Sequence, residues 1–77
     1  MDFVTFKLKH NANLITVINR ATCDYEVARR LAAESFAEYE PHHNPANFVD
    51  GDVFTIGIRK SRDWCRANGR PLALGPS

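Results

Sequence analysis

The chain has 77 residues, 44% of them hydrophobic and 25% charged, with a formal net charge of +1. This is ordinary globular composition, which excludes a largely disordered chain and points to one small domain. A chain this short buries roughly 60–65% of its unfolded surface, which leaves little room for an enclosed cofactor cavity, and no cofactor is expected.

No apolar run approaches the roughly 20 residues of a membrane span. Met1 leads into Asp2-Phe3-Val4-Thr5 without a basic and then apolar leader. Cys23 and Cys65 are too few for a secreted disulfide framework and read as free thiols. The expectation is a cytoplasmic protein with no membrane contact.

Residues 3–9, FVTFKLK, alternate, with Val4, Phe6 and Leu8 on one side and Thr5, Lys7 and Lys9 on the other. Period two predicts a half-buried strand. His10-Asn11-Ala12-Asn13 supplies turn residues. LITVIN, residues 14–19, is β-branched and apolar, which predicts a second strand antiparallel to the first.

From Thr22 to Glu40, Val27, Ala28, Leu31, Ala32, Phe36 and Tyr39 recur at helical spacing. Thr22 or Asp24 suits the N-cap, and Asp24 and Glu26 suit the positive end of the helix dipole. Pro41 is expected to end the helix near Glu40. Glu26, Arg30, Glu34 and Glu38 form an outward stripe. Within it, Glu26 and Arg30 stand in the favourable order, and Glu34 and Glu38 are a like-charge pair.

The loop EPHHNPANFVDGD, residues 40–52, sets His42 and His43 between Pro41 and Pro45. The prolines stiffen it, Asn44 and Asn47 favour turns, and Phe48 is expected to tuck beneath it. His42 and His43 read as exposed residues for partner contact. His10, His42, His43, Cys23 and Cys65 contain no pair at the ligand spacing of structural zinc, so no metal is assigned. A thiol at the start of a helix, as Cys23 would be, can have a lowered pKa. No histidine is fixed beside it in the sequence, and no catalytic residue is assigned.

DVFTIGIRK, residues 52–60, alternates again and predicts a third strand, with Phe54, Ile56 and Ile58 on one face. Ser61 would cap a short helical turn over residues 62–68, with Gly69 as its stop. RPLALGPS, residues 70–77, reads as a surface tail. The expected fold is therefore α/β (α+β), a two-layer sandwich in β-β-α-β order. An antiparallel sheet packs on one helix, a short C-terminal helix follows, and the domain covers residues 1–69. Val4, Phe6, Leu8, Ile15, Val17, Val27, Leu31, Phe36, Phe54, Ile56 and Ile58 are the candidate core.

Charge is unevenly spread. Lys7, Lys9 and Arg20 against Asp2 give +2 over residues 1–21. Asp24, Glu26, Glu34, Glu38, Glu40, Asp50 and Asp52 against Arg29 and Arg30 give −5 over residues 22–52. Arg59, Lys60, Arg62, Arg66 and Arg70 against Asp63 give +4 over residues 53–77. Such a chain either steers charged partners to its two ends or neutralises itself between packed elements.

Two partner classes follow. A larger protein or ribonucleoprotein complex would meet the acidic helix face, Glu26, Glu34 and Glu38, or a sheet edge. Nucleic acid would meet Arg59, Lys60, Arg62, Arg66 and Arg70, with Trp64 as a stacking aromatic. Either is compatible with a monomer or small homo-oligomer. No phosphate-cradling glycine loop is present.

A hairpin, then the helix ATCDYEVARRLAAESF, then the returning strand VFTIGI, resembles small proteins of phages and mobile elements over residues 3–60, anti-CRISPR proteins among them. The resemblance lies in layout. It implies a non-enzymatic, stoichiometric inhibitor that docks on a host defence complex and blocks nucleic-acid binding or nuclease recruitment.

Overall fold

A computed structural model describes residues 2–42 and 49–70, with His42 and Asp50 described in their backbone only. Three helices, α1 (Phe3–Thr22), α2 (Tyr25–Tyr39) and α3 (Asp50–Ala67), pack pairwise against one another, and the described residues contain no strand. The expected sheet, and with it the α/β sandwich, is replaced by an all-helical bundle.

Helix α1 starts because Asp2 caps it. The Thr5 amide donates to the Asp2 carboxylate at 2.8 Å, satisfying one of the donors that a helix start leaves orphaned. Phe6, Leu14, Ile18 and Ala21 are buried along it, with Phe3 and His10 half-buried, at steps of three and four residues. Val4 and Leu8, which the alternation sends inward, are 64% and 74% exposed. The β-branched residues that suggested strands weaken a helix by at most about 0.7 kcal/mol each. Burying a side chain such as Leu14 or Ile18 contributes about 1.5–3 kcal/mol, so the three-and-four spacing wins over local preference.

Two residues join α1 to α2. Cys23 takes the left-handed conformation (φ 56°) and donates its amide to the Asn19 carbonyl at 2.8 Å. Asp24 then caps α2, its carboxylate accepting the Val27 amide at 3.3 Å. Ala28, Leu31, Ala32, Ser35, Phe36 and Tyr39 form the buried face of α2, the helix that the sequence predicts. A single 3-10 turn, Glu40–His42, contains Pro41, whose ring has no amide to continue the ladder.

The predicted third strand and the predicted turn after it are one helix, α3. Ser61, expected as a cap, lies buried in mid-helix, and its hydroxyl donates to the Gly57 carbonyl at 2.8 Å. The buried line is Val53, Gly57, Ser61 and Cys65, one residue in four and all small, while Phe54, Ile56 and Ile58 are only half-buried. The backbone of α3 comes close to α1 at Gly57, where an added Cβ would lie 2.8 Å from Leu14 Cδ1 and 3.2 Å from Ile18 Cδ1. Further along, the Cys65 thiol donates to the Ala21 carbonyl at 3.6 Å, and both cysteines are free. Gly69 (φ 64°) stops the helix. Its amide reaches the Arg66 carbonyl at 3.3 Å and the Arg70 amide reaches the Cys65 carbonyl at 2.8 Å, the paired bonds of a Schellman ending.

Rings fill the other end of the bundle. Phe3 and Phe6 of α1 each meet Phe36 of α2 edge-on at 6.3 Å between centroids, and Tyr39 stands 5.8 Å from Phe6. The Tyr39 hydroxyl accepts the Val49 amide at 2.9 Å, tying the end of α2 to the residue that precedes α3.

Candidate functional site

Because α3 buries Val53, Gly57, Ser61 and Cys65, its opposite side carries Thr55, Arg59, Arg62 and Arg66 at i, i+4, i+7 and i+11, all exposed. An open groove of about 320 Å³ lies on this side, lined among the described residues by Thr55, Ile58, Arg59 and Arg62. Two guanidinium groups flank an aliphatic side chain there, and arginine stems add apolar surface of their own. Thr55 turns its hydroxyl to the Gly51 carbonyl at 2.8 Å.

The acidic face of α2 and the basic segment of α3 touch. Arg59 donates to a Glu38 carboxylate oxygen, and the Lys60 ammonium lies 3.4 Å from the other oxygen of Glu38 and 4.0 Å from Glu34. Arg30 pairs with Glu34 at 3.6 Å rather than with Glu26. Two carboxylates thus sit among three cations, and the like-charge pair Glu34 and Glu38 is bridged by Lys60. The hydrogen bond from Arg59, helped by Lys60, holds the Glu38 carboxyl below its ordinary value. At the start of α1, the bonds from Thr5 likewise hold Asp2 below its ordinary value.

The residues assigned as partner contacts therefore separate into groups. Glu34, Glu38, Arg59 and Lys60 neutralise one another across the α2–α3 seam, while Glu26 is exposed on α2 with no ion pair among the described residues. Arg62 and Arg66 are exposed and have no ion pair among the described residues. Trp64 packs half-buried against the core, and the Arg70 guanidinium lies over its ring at 5.2 Å, brought there by the turn at Gly69. One face of the Trp64 ring is thus taken by a cation of its own chain. His42 is described only in its backbone. His43, Phe48 and residues 71–77 lie outside the described residues.

Sequence reasoning missed Thr55 and Ile58 as groove residues because both were assigned to a strand. Their spacing from Arg59 and Arg62 would have placed all four on one side of a helix.

Among the described residues no group of His, Cys, Asp and Glu is arranged to hold a metal ion, and no helix is long and apolar enough to cross a membrane. Comparison with protein-family profiles, with curated proteins and with solved structures gives no match. The functional reading therefore rests on this chain's own residues.

Proposed function

We propose that the protein is a small non-enzymatic interaction module that docks on a larger protein, with the outer face of α3 as its docking surface. The groove at Thr55, Ile58, Arg59 and Arg62 carries this reading. Arginines around an aliphatic floor suit a partner segment in which an apolar side chain is flanked by carboxylates. The acidic face of α2 is a poorer surface, since Glu34 and Glu38 already have cations of their own chain. The hairpin-helix-strand layout behind the anti-CRISPR resemblance is not the layout of this fold. The proposal takes nothing from it and defines the partner by chemistry alone.

A second reading, nucleic-acid binding, draws on Arg62 and Arg66, which form no ion pair among the described residues. The two readings part in one experiment. Tagged wild type and Arg62→Glu are used to capture partners from lysate, with and without nuclease. Because Arg62 is exposed and has no ion pair among the described residues, the variant keeps its helical circular-dichroism spectrum. Capture of one defined protein that survives nuclease and is lost in the variant is the expected result. Capture of nucleic acid alone, falling steeply as salt rises, overturns the docking proposal and selects the second reading.

A further inference from the structure

We infer that Glu38 is a built-in competitor for Arg59, so that the ion-pair lattice on the α2–α3 seam sets how readily the groove accepts a partner's carboxylate. The inference rests on the docking reading and deepens it. Arg59 has two places in the structure, as a wall of the groove and as the donor to Glu38. A guanidinium offers five N–H donors in a planar fork and binds a carboxylate best through two of them at once. Glu38 occupies part of that fork. An arriving carboxylate therefore shares Arg59 with Glu38 or displaces it.

The lattice is arranged to let Arg59 go. Among the described residues Arg30, Lys60 and Arg59 pair only with Glu34 and Glu38, so one cation is in surplus there. When Arg59 turns to a partner, Glu38 keeps Lys60 at 3.4 Å. The Lys60 side chain is 20% exposed and that of Arg59 53%. Lysine is thus the seated member and arginine the releasable one. Exposed pairs of this kind are individually weak, which suits a contact that must be exchanged rather than one that holds the fold.

Two substitutions push the competition in opposite directions. Glu38→Gln removes the competing charge. Lys60→Met keeps the aliphatic stem but leaves Glu38 dependent on Arg59. Glu26→Gln makes the same charge change on an α2 carboxylate with no ion pair among the described residues and serves as the control, and Arg62→Glu tests the groove itself. The probe is a fluorescently labelled synthetic amphipathic helix of leucine and glutamate, titrated against the full chain by anisotropy.

The expected result is binding about threefold tighter for Glu38→Gln and about threefold weaker for Lys60→Met, the size that an exposed ion pair supplies. Glu26→Gln should match the wild type. If Arg62→Glu loses binding while Glu38→Gln and Lys60→Met both match the wild type, the competitor is overturned and the docking surface stands. If Glu26→Gln tightens binding as much as Glu38→Gln, the effect is general charge and the competitor is again overturned. If the wild type does not bind the peptide, or Arg62→Glu binds it equally well, the docking reading fails and takes this inference with it.

Discussion

The two ends of the bundle solve the same packing problem with opposite materials. Around Phe3, Phe6, Phe36 and Tyr39, rings meet edge-on and fill the space between α1 and α2. Around Ala21, Ala28, Gly57, Ser61 and Cys65, buried small residues line the faces of all three helices, and at Gly57 an added methyl group would have to displace the ends of the Leu14 and Ile18 side chains. The aromatic end is held by large buried side chains. The small end is held by close approach, so an added side chain there meets the neighbouring helix.

Substitutions at each end should therefore fail in different ways. The largest effect is expected at Phe36, where Phe36→Ala removes the ring shared by Phe3 and Phe6 and costs about 3–5 kcal/mol. A domain of this size has a total stability of roughly 4–12 kcal/mol. The urea midpoint by circular dichroism should collapse toward the unfolded baseline. Next comes Gly57→Leu, which forces a side chain against Leu14 and Ile18 and costs about 1–3 kcal/mol by overpacking. An unchanged midpoint for Gly57→Leu would show that the two ends are not distinct. The smallest effect belongs to the tie between the ends of α2 and α3. Tyr39→Phe removes the acceptor of the Val49 amide and costs about 1 kcal/mol. Hydrogen exchange should quicken at Val49 and stay unchanged at Ser61; quickening at both would mean that Tyr39 supports the whole bundle rather than one junction.

The same contrast explains what could be read from the sequence. Helix α2 was legible because its buried positions include Leu31, Phe36 and Tyr39, large enough to mark a period, and because Asp24 and Pro41 bound it. Helix α3 was not, because its inner line is Val53, Gly57, Ser61 and Cys65, and two of those carry almost no hydrophobic signal. The half-buried Phe54, Ile56 and Ile58 supplied a false period of two instead. Helix α1 was misread for a related reason. Val4 and Leu8 alternate with Phe6 in sequence but stand in solvent, while Phe3, Phe6, His10, Leu14 and Ile18 keep the helical period. The capping Asp2 and the absence of any proline or glycine before Pro41 were the available warnings. At the candidate site, mutual neutralisation between packed elements was one of the two readings of the charge pattern. It is what Glu34, Glu38, Arg59 and Lys60 do. The groove could not be read, since it depends on α3 being a helix.

The two-residue junction at Cys23 and Asp24 has a consequence for how the molecule assembles in time. Contacts between α1 and α2 begin beside this junction and reach 33 positions at Phe6 and Tyr39, whereas the bond from Cys65 to Ala21 spans 44 positions, and the entropy lost in closing a loop grows with its length. On that ground the contacts of α3 with α1, Gly57 against Leu14 and Ile18 among them, are expected to form after the hairpin of α1 and α2 has closed at its junction. Contacts made after the rate-limiting step act on unfolding rather than on folding. Gly57→Leu should leave the folding arm of a chevron plot in place and raise the unfolding arm, so that α3 governs how long the folded molecule lasts more than how fast it forms.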